Sequence, residues 1–225
     1  MPTQAATADA LIAACKAGDA RSAARILRRD GSLANCTDSD GRSPLFWASF
    51  NGQESVVRLL LKNGATIDRA GRDGRTPLWA ACEKDKESTA RLLLEKGASV
   101  NHADNEGATP LYMACQNGHE SMARLLLGKG ATVDLAKNTG ATPLFMACHS
   151  GHESTARLLI GKGATGDLAA NNGGTPLSIA CQSGHEATAL LLLDQGASIN
   201  LADHDGVTPL FVACQDGHES TARLL

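Results

Sequence analysis

Aromatic residues are scarce: four Phe, two Trp and one Tyr make up 3% of the 225-residue chain. Its core must therefore be built from Leu, Ala, Ile, Val and Cys. Hydrophobic residues still reach 43%, too many for a disordered chain. An excess of one charge is also lacking, since 21 Lys and Arg face 24 Asp and Glu for a formal net charge of −3. No global cationic field points to nucleic acid. No run approaches the roughly 18 apolar residues of a membrane span. Residues 1–10 carry neither a basic flank nor a sustained apolar stretch, so no signal peptide is expected. Prolines number seven, and all but Pro2 are evenly spaced.

Pro44, Pro77, Pro110, Pro143, Pro176 and Pro209 each stand 33 residues from the next, each preceded by Thr or Ser and followed by Leu. Gly41, Gly74, Gly107, Gly140, Gly173 and Gly206 keep the same step. Registers without insertion select a stacked repeat array over independent domains. Within one unit, Thr109 is a helix N-cap and Pro110 opens the helix, where a missing N–H costs nothing. The pattern predicts a short helix over 110–116, a left-handed turn at Gly118, and a second helix over 120–127 stopped by Gly128-Lys129-Gly130. Residues 134–140 are polar and read as a projecting turn or hairpin. Helices this short are marginal alone, so each unit needs neighbours to bury its leucines.

The recurring Gly-x-Thr-Pro-Leu-x-x-Ala-Cys-x-x-Gly-His, followed by Leu-Leu-Leu-x-x-Gly-Ala, resembles the ankyrin repeat from about residue 10 to 225. The resemblance implies an all-α repeat solenoid of helix-turn-helix units with short β-hairpin or turn fingers. It also implies a protein-interaction module or scaffold that presents a concave surface of fingers and first helices to a partner protein or peptide. The alternative is a scaffold segment of a larger multidomain protein, an enzyme or channel, ending here at Leu225. Residues 1–9 read as a tail and 10–41 as a capping repeat without Thr-Pro-Leu. Residues 42–225 read as five full repeats and a truncated sixth, all in one continuous domain. The last repeat stops within its second helix without a polar cap. The array is expected either to continue in a longer chain or to find a partner there, including by self-association.

The period claims the chemically tempting residues. Cys82, Cys115, Cys148, Cys181 and Cys214 share one position, where the family usually has Ala. They are expected to be small buried groups, because helices about 8–10 Å apart exceed the roughly 7 Å Cα limit of a disulfide. His119, His152, His185 and His218 share another position, and a catalytic group is not needed once per repeat. Cys148, His149 and His152 are close enough in sequence to hold a metal, but Cys148 should point inward and His149 outward. Glu54–Arg58, Glu87–Arg91, Glu120–Arg124, Glu153–Arg157 and Glu219–Arg223 are (i, i+4) pairs; Glu186 faces Leu190 instead. No enzyme activity, cofactor, metal, small-molecule substrate, nucleic acid or membrane is expected. Free cysteines in an odd number argue for a reducing compartment, cytoplasmic or nuclear.

Function is sought where the repeat breaks. The position after Thr-Pro-Leu, usually His in the family, holds Phe46, Trp79, Tyr112, Phe145, Ser178 and Phe211. The rings either fill space between first helices or form a partly exposed strip suited to anchoring a partner. Trp47 and Phe50 add two rings at positions that are apolar or polar elsewhere, which predicts an exposed apolar spot. Arg42, Arg72, Arg75 and Lys84 surround it. The candidate partner-binding residues are thus Arg42, Trp47, Phe50, Arg72, Arg75, Trp79, Lys84 and Tyr112. Positions varying between units (Arg72, Asn105, Asn138, Asn171 and His204) are expected on the same surface. A weak seam is expected between the fourth and fifth full units. There Gly166 replaces a Val or Ile taken to be buried, Gly173-Gly174 doubles a glycine, and Ser178 interrupts the aromatic row.

Overall fold

Each Thr-Pro-Leu starts a helix of seven residues, as in Pro110–Gln116. The Thr109 hydroxyl oxygen accepts the Tyr112 N–H at 3.1 Å. Ser43, Thr76, Thr142, Thr175 and Thr208 cap in the same way. Ser43, Thr76, Thr109, Thr142 and Thr175 are buried, so each satisfies a donor that water cannot reach.

A computed structural model describes residues 4–225, which divide after Asn105 into two compact units. The first contains α1 (Gln4–Ala17), α2 (Ala20–Arg29), a 3-10 turn (Gly31–Asn35), α3 (Pro44–Phe50), α4 (Glu54–Lys62), α5 (Pro77–Glu83) and α6 (Glu87–Glu95). Helices α1, α3 and α5 pack in series as one layer, and α2, α4 and α6 as another. Of the tail expected at 1–9, residues 1–3 lie outside the described residues. Residues 4–9 are already helical, because α1 is twice the length of the later first helices.

The second unit, Glu106–Leu225, holds α7 (Pro110–Gln116), α8 (Glu120–Gly128), α9 (Pro143–His149), α10 (Glu153–Gly161), α11 (Pro176–Gln182), α12 (Glu186–Asp194), α13 (Pro209–Gln215) and α14 (Glu219–Ala222). Again the first helices stack on first helices and the second on second. The fold is an all-helical repeat array of the ankyrin type. Among the described residues the fingers are tight turns without an assigned strand. Examples are Gly71 N–H to Arg75 O at 3.0 Å and Lys137 N–H to Ala141 O at 2.9 Å. No described helix is long and apolar enough to cross a membrane.

Side chains reach from repeat to repeat. In the second unit His152 Nε2 lies 3.2 Å from Gln116 O, His185 Nε2 3.0 Å from His149 O, and His218 Nε2 3.0 Å from Gln182 O. A carbonyl only accepts, so Nε2 carries the proton in each. The Asp134 carboxylate accepts Thr165 N–H and O–H, and Asp167 accepts the same pair from Ser198. Asp68 and Ser99 make this link in the first unit. Asn171 Nδ2 donates to Asn138 O at 2.9 Å, and Asn105 Nδ2 to Arg72 O at 2.8 Å. The exposed Asn side chains at 105 and 171 therefore also fasten finger to finger.

The five (i, i+4) pairs all form; Glu120–Arg124, for example, closes to 2.6 Å. They lie at the surface, where each is worth about 0.2–0.5 kcal/mol. A larger effect sits inside. Thr89 and Thr155 are fully buried on the second helices, at the position of Val56 and Met122, and their hydroxyls have no hydrogen-bond partner. Thr155→Val keeps the shape and removes the stranded hydroxyl. It is expected to raise stability by about 1 kcal/mol, seen as a higher urea midpoint.

The seam differs from its expectation. Ile67, Val100, Val133 and Ile199 are only half-buried, so Gly166 forfeits less than the burial of a whole Val side chain. Ser178 breaks the aromatic row but completes a capping box. It receives Thr175 N–H at 2.8 Å while Thr175 Oγ1 receives Ser178 N–H at 3.1 Å. Reciprocal capping strengthens the start of α11.

Candidate partner-binding surface

Helix α3 carries Phe46, Trp47 and Phe50, whose rings touch one another. Phe46 and Trp47 meet edge-on at 5.4 Å, Trp47 and Phe50 at 5.7 Å, and Phe46 stacks on Phe50 at 6.3 Å. Such pairs add about 0.5–1.5 kcal/mol beyond simple burial. Trp47 Nε1 donates to Asp38 Oδ2 at 2.8 Å. The other oxygen of Asp38 accepts the N–H groups of Asp40 and Arg42. One carboxylate thus closes the first finger and fixes the indole beside it.

The sequence predicts an exposed apolar spot here, with basic residues around it. Instead Phe46 is buried, Trp47 and Phe50 are half-buried, and cations cover their faces. Lys16 Nζ stands 4.0 Å from the Trp47 ring, and Lys84 Nζ lies 4.8 Å from that of Phe50. The Arg42 guanidinium lies 5.1 Å from Phe46 and 5.5 Å from Trp47. Ring quadrupoles attract such cations, most strongly where water is partly excluded. Asp73 ties the arginines together, at 3.1 Å from Arg42 and 3.5 Å from Arg75; Arg75 also lies 3.8 Å from Asp104.

Two expected site residues leave this surface. Trp79 is 1% exposed and lies beneath the Arg75 guanidinium, 4.3 Å away, because stacking against its neighbours covers the ring. Tyr112 is buried in the second unit, clustered with Ala108, Ala141 and Phe145. Both fill space in the repeat and offer no open ring face. On the first unit Arg42 lies beside Trp47, Lys84 beside Phe50 and Arg75 beside Asp73, while the Arg72 N–H donates to Asp40 O in the adjoining finger. Sequence reasoning missed Lys16, which occupies the column of Phe50 one repeat earlier and is exposed beside Trp47. The aligned column, with Lys and then Phe where later repeats have Glu, Gln or His, is the signal that marks it.

The second unit is different. Ala108, Ala141, Gly174 and Val207 stand where the first has Arg42 and Arg75, and a finger-side groove of about 450 Å³ around Phe145 and Asn171 carries no charge. A groove of about 570 Å³ across α8 and α10 is lined by Glu120, Arg124, Glu153 and Arg157, already paired with one another.

The buried thiols are poor nucleophiles. Burial pushes Cys15 up to about 12 and Cys181 up to about 11, and it raises Cys82, Cys115 and Cys148 further. A thiol so protonated is inert at neutral pH. Cys214, expected to be buried like its siblings, is exposed on α13. Cys148 lies inside while His149 is exposed, and His152 is engaged with Gln116, which separates that sequence-adjacent trio. The family profile that describes three successive ankyrin repeats matches four overlapping segments, residues 3–71, 67–137, 131–203 and 167–225. No curated protein matches the chain.

Proposed function

The chain belongs to the ankyrin-repeat family, and on that premise we propose that it docks a partner protein or peptide on the finger and first-helix face of its first unit. Ankyrin repeats are in general protein-protein interaction modules. The observation that carries the site is the ring-and-cation cluster of Trp47, Phe50, Lys16, Arg42 and Lys84. It stands where the repeat pattern is broken. Aromatic and Arg anchors of this kind dominate binding energies at protein interfaces. The open, charge-lined face suits an extended chain more than a small molecule, which favours an enclosed apolar pocket. Seven free cysteines support a reducing compartment.

Affinity capture from a lysate tests the assignment. The Trp47→Ala, Arg75→Ala double variant is expected to lose the partners that the unaltered chain retains, while remaining folded by circular dichroism. Undiminished capture by the folded double variant removes this surface from consideration.

A further inference from the structure

Independently of that docking surface, we propose that the chain associates with a second copy of itself, the outer face of α2 in one copy packing on that of α12 in the other. Both faces come from the same three repeat columns, spaced four residues apart. In α4 these columns hold Glu54, Arg58 and Lys62, in α6 Glu87, Arg91 and Glu95, and in α8 and α10 Glu, Arg and Gly. Each of those helices closes its Glu–Arg pair. Helix α2 instead fills all three columns with Arg21, Arg25 and Arg29, and α12 holds Glu186, Leu190 and Asp194. One face has lost its anion and the other its cation. All six side chains are exposed.

Like charges four residues apart repel along a helix, so α2 gains from an anionic neighbour. Its three arginines, with Arg28 beside them, form no ion pair among the described residues. The two flanking carboxylates serve as caps: Asp19 accepts Ser22 N–H at 2.9 Å and Asp30 accepts Ser32 N–H at 3.0 Å. The helices packed against α2 do not offset the excess. Helix α1 brings Asp9 and Lys16, and α4 brings Lys62 and the closed Glu54–Arg58 pair.

Around α12 the balance is reversed. Glu186 and Asp194 form no ion pair among the described residues, and beyond Lys162 the sequence carries one cation, Arg223, closed on Glu219. Helices α10 and α14 each bring a closed Glu–Arg pair and α10 ends at Lys162, leaving the two carboxylates of α12 against one lysine. Between those carboxylates Leu190 is 45% exposed. Eight residues of helix rise about 12 Å, so Arg21 and Arg29 stand as far apart as Glu186 and Asp194. With the two helices antiparallel, which also opposes their dipoles favourably, Arg21 meets Asp194 and Arg29 meets Glu186. The Arg25 stem then lies along Leu190 with its guanidinium in water. An unrelated acidic chain has no such match, whereas the shared columns give α12 both the charge spacing and the apolar centre. Each copy carries one face of each kind, so copies can pair or follow head to tail.

Sedimentation equilibrium of the full chain is the test, with two charge-reversed variants, Arg21→Glu, Arg29→Glu and Glu186→Arg, Asp194→Arg. The substituted side chains are exposed, so both variants are expected to remain folded by circular dichroism. The mean mass of the unaltered chain should rise with concentration. Its association constant should fall about tenfold or more in either variant alone, and on raising salt from about 50 to about 300 mM. An equimolar mixture of the two variants should associate again, because each reversed face then finds its opposite. A chain that stays monomeric, or a mixture that associates no better than its components, would overturn the second copy. So would association untouched by both reversals, the result expected if copies met through the exposed Leu210 and Phe211 of α13. A monomeric chain retained on phosphatidylserine vesicles, and released by the arginine reversal, would assign the α2 face to a lipid surface and also overturn the proposal.

Discussion

Gly140→Ala is expected to destabilise the second unit by about 3 kcal/mol, whereas Gly130→Ala should cost only about 1–2 kcal/mol. Both glycines have left-handed backbones, with φ of +80° and +89°. An L-residue there loses about 1–2 kcal/mol whatever surrounds it. They differ in what a methyl group would meet. At Gly130 nothing lies within 4 Å, but at Gly140 the new Cβ would stand 2.6 Å from the backbone nitrogen of Asn171 and closer still to its Oδ1. That nitrogen donates to Thr139 O at 2.9 Å and the Asn171 side chain is bound to Asn138 O, so the neighbouring finger cannot retreat without breaking both bonds. Urea unfolding of the two variants measures the difference. Equal losses would show that the finger junction is softer than its hydrogen bonds imply.

The second large effect lies among three consecutive leucines. Leu126 is 0% exposed, while Leu125 and Leu127 are only partly buried. Leu126→Ala should therefore cost about 3 kcal/mol, the transfer of the lost methyl groups plus the cavity left behind. Leu127→Ala should cost about 1 kcal/mol or less, because water already reaches that site. In a repeat array the loss is felt by the altered repeat and its neighbours. Amide exchange is then expected to accelerate chiefly in α8 and α10 in the Leu126 variant. A similar midpoint for both variants, or acceleration spread evenly over the second unit, would contradict the packing described.

Much of this was legible in the sequence. Thr109-Pro110 and Gly118 bracket a helix because a capping oxygen, a missing N–H and a left-handed turn each have one place to go, and α7 runs over the span they mark. The leucine run was legible as a helix but not as a ranking, since only the rotational phase of α8 against α10 selects Leu126. The aromatic row shows a sharper limit. A period of 33 states which residues are equivalent, not which are covered. Trp79 lies beneath Arg75 while Phe211, in the same column, is 56% exposed. The contact of Lys16 with Trp47 was hidden for the same reason: it joins residues one repeat apart, and the aligned columns mark each residue as unusual without showing that the two meet.

The links between repeats in the second unit all point in one sense. The imidazole of each later repeat reaches back to a carbonyl one period before it, as His152 does to Gln116 and His185 to His149, while Asp134 and Asp167 hold the amides of Thr165 and Ser198 ahead of them. Because the imidazole-to-carbonyl link recurs with the same atoms at the same offset at all three junctions, excising or duplicating one period here would return each of these imidazoles to an equivalent carbonyl. Such a gene could lengthen or shorten by unequal crossing-over without inventing a new joint, so long as the cut respects the register.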